Sequence, residues 1–472
     1  MKFDMKLRNV LALGTVLLRA AEAATCDLKN SFAAPVLASG WEHKLIARNL
    51  TKPRSIQFDS EGNLLVIQGG AGLIHLSFDD GGSTCLDVAK KTFLINSTDL
   101  NHGLALSNDG KTIYASSSNS VFAWTYDPVA GTVGNSNTTI ITGMDNDDHT
   151  TRTLLMSQKQ PGTIIVSRGS QSNLDYSAES LDTGHSQIKA FDLTNFTSES
   201  EPYNFNTAGR LLGWGLRNSV GVAEEPLTGG IYSVENSVDE IQRNDVDVHQ
   251  YNPGEEVNFH GFLNGSTESQ GGNYGYPLCY ALWNTSIPNA ENLTVGSQFT
   301  MDQNATVDDA FCAKERVPPR LTFEAHVAPL DIKFLANGTK AYVSFHGSWD
   351  KTAPVGYKVI SLDFANGSPV AESTSMTAAQ DIFSNPDNSV CPGRCFRPVG
   401  LAIDGVGRLF VSSDSSGELY VLAKTGSGSG SGTTTSPAPA ATSSKASGAS
   451  KVVVSGVMMA LVAVVGFGAV MM

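Results

Sequence analysis

Positive charge is scarce in this chain. Its 32 Lys and Arg residues face 46 Asp and Glu, for a formal net charge of −14. That balance argues against a nucleic-acid partner. The usual nucleotide-holding loops are missing, since neither a GxGxxG turn nor a Walker loop occurs. HExxH is absent and no two histidines stand at i, i+4 spacing, which leaves no helical metal motif. Serine hydrolysis of the elbow type lacks its GxSxG. No long amphipathic helix can be read in the body of the chain, so the architecture must come from strands.

What is present begins with two terminal addresses. Basic Lys2, Lys6 and Arg8 precede an apolar run from Val10 to Leu18 and small residues through Ala24. This is a secretory signal pattern over 1–24, with cleavage between Ala21 and Thr25, and its apolar run is too short to span a bilayer. Gly426 to Ser450 is rich in Gly, Ser, Thr, Pro and Ala, so 425–451 is expected to be a stalk. The segment 452–472 is apolar to its last residue, with no basic anchor after it. Small residues, a spacer and such a tail form a glycolipid (GPI) anchor signal that is removed on maturation; a tail-anchoring helix is the alternative. The expected location is secreted and GPI-anchored, at the cell surface or in the cell wall, with membrane contact through the lipid alone.

Export suits the six cysteines, for which chain order suggests the pairs Cys26–Cys85, Cys279–Cys312 and Cys391–Cys395. Ten Asn-x-Ser/Thr sequons, at Asn49, Asn96, Asn137, Asn195, Asn264, Asn284, Asn292, Asn304, Asn337 and Asn366, mark candidate glycan sites and hence surface positions.

The body, 25–424, repeats one unit: a β-rich strand, a Gly-containing turn, a second strand, then looser ones. It recurs at Ser55–Asp79, Leu104–Asp127, Thr153–Gly169, Val220–Ile241, Asp331–Trp349 and Val399–Leu422. Six such units predict an all-β fold, a six-bladed β-propeller with a central cofactor site. Two β-sandwiches are the alternative, but no linker divides the body. The longest excursion between units, Gln242 to Ala328, reads as loops over one face.

A propeller brings the starts of its inner strands to one axis. His149 stands just before TLLMS and Arg217 just before VGVAE, and His102, Arg54 and Arg397 hold the same place in three other units. His149 follows Asp145, Asp147 and Asp148; a carboxylate beside an imidazole can orient it and raise its pKa for base work. A turn histidine bonded to its neighbours is the structural alternative. Arg217 lies in an apolar run and must be paired or face an anion, with Asn218 beside it offering donor and acceptor. Together with His346 in SFHGSWDK, these groups suggest a carboxylate-bearing cofactor.

The runs LTKPRSIQFDSEGNLLV, DDHTTRTLLMS, RGSQSNLD, GLRNSVG, GGNYGYP, SFHGSW with GYKVISLDF, and FRPVGLAIDGVGRLFVSSD carry a resemblance. In that order, from Leu50 to Leu422, they resemble the secreted quinoprotein sugar dehydrogenases: bacterial soluble glucose dehydrogenase, sorbosone-type dehydrogenases and, most closely, fungal pyranose dehydrogenases that use pyrroloquinoline quinone (PQQ). The resemblance implies His149 as catalytic base and Arg217 at the reactive quinone oxygen. It implies Asn218 and His346 as further PQQ contacts, Arg397 as an arginine that meets the PQQ carboxylates or the substrate, and Arg54 and His102, at matching blade positions, as candidate PQQ contacts. It implies Ca²⁺ on backbone carbonyls of the Glu235-Asn236-Ser237 loop, with Asn236 and Ser237 as ligands. The bacterial Gly-Pro version of that loop is not kept, and Cys395 stands where bacterial enzymes have a second arginine.

The reaction so implied is oxidation of an aldose or pyranose at its anomeric hydroxyl, with His149 taking the proton while hydride leaves for PQQ. Electrons then pass to an external acceptor: a cytochrome, a quinone or a copper polysaccharide oxygenase. Two other readings stay open, a calcium-dependent lactonase and a non-catalytic surface propeller that binds glycans or a partner. The lactonase wants Asp, Glu and Asn around its ion, and the axial residues legible here are mostly Arg and His.

Overall fold

The computed structural model describes residues 26–426, Ser266 excepted. The signal segment at 1–24, the stalk past Gly426 and the apolar tail at 452–472 lie outside the described residues.

Apolar runs such as LLVIQ (Leu64–Gln68), TIIVSR (Thr163–Arg168) and KAYVSF (Lys340–Phe345) form the second strands of antiparallel blades. They are apolar nearly throughout because both faces are covered, and the two-residue period sends alternate side chains to opposite neighbours. In blade one, Leu64 and Val66 pack with blade six, whereas Leu65 and Ile67 pack with blade two. Matching apolar layers fill the remaining interfaces, from two–three to five–six. The core is therefore a ring of interblade layers.

The innermost strands are Pro53–Phe58, Leu104–Leu106, Leu154–Met156, Ser219–Glu224, Pro329–Phe334 and Pro398–Ile403, and each approaches the next around the axis. The ring closes through Trp41–Ala47, which pairs antiparallel with Glu418–Lys424 as the outermost strand of blade six. This is the expected six-bladed propeller.

One boundary differs from expectation. Blade four takes its third and fourth strands, Glu255–Phe262 and Leu321–Phe323, from inside the supposed Gln242–Ala328 excursion. The sequence EEVNFHGF hides the first of them, because Glu255, Glu256, Asn258 and His260 are all buried there. A buried strand this polar lacks the apolar signature that pattern reading depends on. The segment between the two strands carries a short helix, Asp309–Glu315, capped by Asp308, whose carboxylate accepts from Phe311 N at 2.7 Å. The disulfides are Cys26–Cys85, Cys279–Cys312 and Cys391–Cys395, as chain order suggests. Nine of the sequon asparagines are exposed and Asn284 is half-buried.

Candidate active site

A cavity of about 190 Å³ is walled by blades three to six. His149, Arg217, Asn218, Asn236, Ser237, His346 and Arg397 all line it. His149 and Arg217 come from chain just ahead of inner strands, and Asn236 and His346 from the turns that follow second strands. Arg54 and His102 do not line this cavity.

Ser170 couples the two leading residues. It is fully buried, its backbone N–H donates to Arg217 O at 2.8 Å, and its Oγ lies 2.9 Å from His149 Nδ1. The hydroxyl hydrogen is already given to Ser172 O at 2.7 Å. Ser170 Oγ and O therefore both accept from Nδ1–H, the latter at 3.2 Å, which leaves the neutral imidazole's lone pair on Nε2. Gly169 makes this approach possible: a Cβ there would stand 2.6 Å from Asn218 Oδ1 and 2.7 Å from His149 Cβ.

The acidic run acts otherwise than expected. Asp148 accepts His149's own backbone N–H at 2.9 Å and Asp147 accepts Gln171 Nε2 at 2.6 Å; the imidazole's orienting partner is Ser170. Burial, then the Arg217 charge, pull the His149 pKa down to about 4, outweighing Asp148. The expectation of a raised pKa is thus corrected. The result still suits a base, since the ring is neutral across ordinary pH. The run's backbone is held from below by buried Arg152, which donates to His149 O and Thr151 O at 2.6 Å each.

Arg217 is 4% exposed. Its guanidinium donates to Asn173 O (3.0 Å), Asn173 Oδ1 (2.7 Å), Asp239 Oδ2 (3.1 Å) and Asn236 O (3.2 Å). A guanidinium has five N–H groups, so one on Nη1 remains for a ligand. Arg397 is less occupied. It reaches only carbonyls, His346 O at 3.1 Å and Gly347 O at 2.6 Å, and lies 5.6 Å from the Tyr357 ring centroid. Among the described residues it forms no salt bridge.

Several wall residues escaped sequence reasoning. Asp239 bridges Arg217 and His326, whose Nδ1 is 3.4 Å from Asp239 Oδ1. Burial lowers the His326 pKa, but the Asp239 hydrogen bond and the Glu255 charge raise it on balance. Glu255 accepts from Ser237 N at 2.6 Å and Ala328 N at 3.2 Å, and burial lifts its pKa to about 7. Asp239, Glu255 and Asp350 all line the cavity, so the axial wall carries carboxylates as well as Arg and His. Asn173 and Ser170 sit in the run RGSQSNLD, the one signal that pointed at them. His326 and Asp350 come from loops with no periodic signature.

Arg54 and His102 belong to a neighbouring network. Arg54 donates to Asp414 Oδ2 at 2.6 Å and to His102 Nδ1 at 3.3 Å, while Asp414 Oδ1 lies 2.8 Å from His346 Nε2. Against burial, His346 and Arg54 hold the Asp414 carboxyl well below the usual range.

The family model described as TrAA12-like matches residues 35–425. The chain is 52% identical over 424 residues to the pyrroloquinoline quinone-dependent sugar dehydrogenase of Hypocrea jecorina (strain QM6a), covering 88% of this chain and 96% of that protein. It is 37% identical over 406 residues to the pyrroloquinoline quinone-dependent pyranose dehydrogenase of Coprinopsis cinerea, covering 82% of this chain and 54%, about half, of that protein. Among solved structures it resembles the calcium structure of a Trichoderma reesei carbohydrate-active enzyme of family AA12, with TM-score 0.83 and 54% identity over 85% of this chain and 99% of that one. It also resembles the holo form of the Coprinopsis cinerea pyranose dehydrogenase PQQ domain, with TM-score 0.78 and 36% identity over 84% and 98%.

Proposed function

The chain belongs to the TrAA12-like family, and from that premise we propose that it is a PQQ-dependent dehydrogenase of an aldose or pyranose that passes electrons to a separate acceptor. The observation that carries this reading is the shared wall of one cavity. A neutral His149 with its lone pair on Nε2 faces the same space as Arg217 and a carbonyl-bound Arg397.

The wall suits a polycarboxylate quinone. Arg397 lacks an anionic partner among the described residues and can take a carboxylate, and Asn218 adds a donor and an acceptor. When bound, PQQ supplies the two-electron acceptor that no side chain here can be. His149 Nε2 takes the proton of the sugar hydroxyl, and Ser170 holds the ring so that Nδ1 keeps its own proton. Arg217 offers its remaining N–H to an oxygen on which negative charge develops. A hard cation takes oxygen ligands. Ser237 O accepts no hydrogen bond among the described residues, and the Glu255 carboxylate lines the same wall; Asn236 O is less suited, because Arg217 Nη1 already sits 3.2 Å from it.

The test is a titration of the purified protein with PQQ and Ca²⁺, followed by aldose-dependent dye reduction. Tight PQQ uptake that Arg217→Ala abolishes is the expected result. An absence of uptake at micromolar PQQ sinks the reading. A calcium-dependent lactonase would instead open lactones without PQQ.

A further inference from the structure

We infer that Asp350 and Trp349 form the sugar-holding wall of this cavity. In this arrangement the Asp350 carboxylate accepts hydrogen bonds from neighbouring hydroxyls while the Trp349 ring covers the sugar's apolar face. The inference rests on the sugar-oxidising reading above and names the residues that select the substrate.

The loop that carries both is built rather than loose. Ser348 N donates to Val355 O at 3.0 Å, Val355 N donates back to Ser348 Oγ at 3.1 Å, and the buried Tyr357 hydroxyl donates to Ser348 O. Gly347 adopts φ +95°, and a Cβ there would stand 2.5 Å from the Tyr357 ring, so no other residue fits this turn. Outside the turn, Thr352 N donates to Gln250 Oε1 at 3.0 Å and Lys351 Nζ pairs with Glu324 at 3.2 Å.

On this frame Asp350 is an anomaly. Its side chain is 7% exposed and it lines the cavity. Neither carboxylate oxygen accepts a hydrogen bond, and no Lys or Arg pairs with it among the described residues. A carboxylate is costly to bury without hydrogen-bond donors, and sugar hydroxyls are donors of the kind it lacks. Its ionisable partner among the described residues is His249, whose Nε2 lies 3.1 Å from Oδ2 without hydrogen-bond alignment. Beside it Trp349, also on the cavity wall, is 63% exposed. A large ring held in water next to an unsatisfied acceptor matches both sides of a pyranose, its C–H face and its hydroxyl edge.

A metal is the competing occupant, because donor atoms of His249, His326 and Asp350 lie within 4.8 Å of one another. Proton placement disfavours it. His249 Nδ1 accepts from Glu240 N at 2.8 Å, so in the neutral ring Nε2 carries the proton and has no lone pair to give.

The experiment compares wild type, Asp350→Asn and Trp349→Ala by PQQ uptake, by fluorescence-monitored sugar binding with and without PQQ, and by KM for aldoses and their deoxy analogues. Asp350→Asn should keep PQQ uptake, raise KM about ten-fold or more, and stop discriminating against one deoxy analogue. Trp349→Ala, an exposed change that leaves the fold intact, should raise KM for every sugar several-fold. Sugar binding that survives without any PQQ uptake, and weakens in Asp350→Asn, would keep this inference and discard the PQQ reading. Wild-type KM in a PQQ-loaded Asp350→Asn protein overturns it. So does loss of PQQ uptake in that variant, or stoichiometric Zn²⁺ binding that the variant abolishes.

Discussion

Of two cavities that border inner strands among the described residues, the larger is the poorer candidate. A channel of about 500 Å³ is lined by inner-strand residues such as Ile56, Leu104, Leu154 and Val222, with His102 and the Asp331–Lys333 pair among them. The candidate site is less than half that size. The difference lies in which polar groups are already bonded. His102 accepts from Arg54, Arg54 is paired with Asp414, and Asp414 holds His346. This chain of bonds links the wall of the channel to the wall of the site. On the wall of the site stand Arg397 without an anion, one spare N–H of Arg217, the Nε2 lone pair of His149 and an Asp350 carboxylate that accepts no hydrogen bond among the described residues. Closed networks hold a fold together, whereas unsatisfied buried groups mark where a ligand belongs.

The largest effect should fall on the open side. His149→Ala should lower turnover about 10²- to 10⁴-fold while keeping PQQ uptake and the thermal midpoint; full turnover in that variant would remove its role as base. The closed side should respond in the opposite sense. Asp414→Ala leaves Arg54 and His346 facing each other without their shared anion, and should destabilise by about 3–5 kcal/mol in denaturant unfolding. Unchanged stability there would erase the contrast between the two regions.

A pH series sharpens it further. Glu255 titrates at about 7 in the fold, raised by burial from 4.5, so the folded chain holds its proton more tightly than the unfolded one. That contribution is full below pH 4.5 and is lost as pH rises through about 7. His149 runs the other way, with its contribution present above 6.5 and lost as pH falls through about 4. In the presence of a chelator, Glu255→Gln should therefore lose less stability than wild type between about pH 5 and 8, a difference of up to about 3 kcal/mol. Equal slopes would show that burial does not shift this carboxyl. The smallest effect belongs to the channel: Lys333→Met breaks a half-exposed pair and should change stability by about 1 kcal/mol or less, with turnover unaltered. A large loss of turnover would promote the channel to a functional site.

Much of the fold was legible because period-two strands with Gly turns need no long-range information. Leu64–Gln68 and Lys340–Phe345 read as strands from their own residues, and chain order sufficed for the disulfides. Glu255–Phe262 did not, because its polar side chains are tolerated only by the partners that surround them in the fold. At the site, His149, Arg217 and Arg397 were legible from repeated placement before inner strands. That same rule also pointed to Arg54 and His102, which the structure puts in the closed network. Glu255, His326 and Asp350 followed no repeat and were not legible.

The sequence by itself determined the number of blades and the register of polar residues at their inner ends, since both follow from local periodicity. Only the tertiary structure decided which arginine is satisfied and which is open. Arg54 and Asp414 lie 360 residues apart, and His326 and His249 lie 77 apart. Whether a buried charge is neutralised depends on such distant partners, and a hydrogen bond between them leaves no trace in either local sequence.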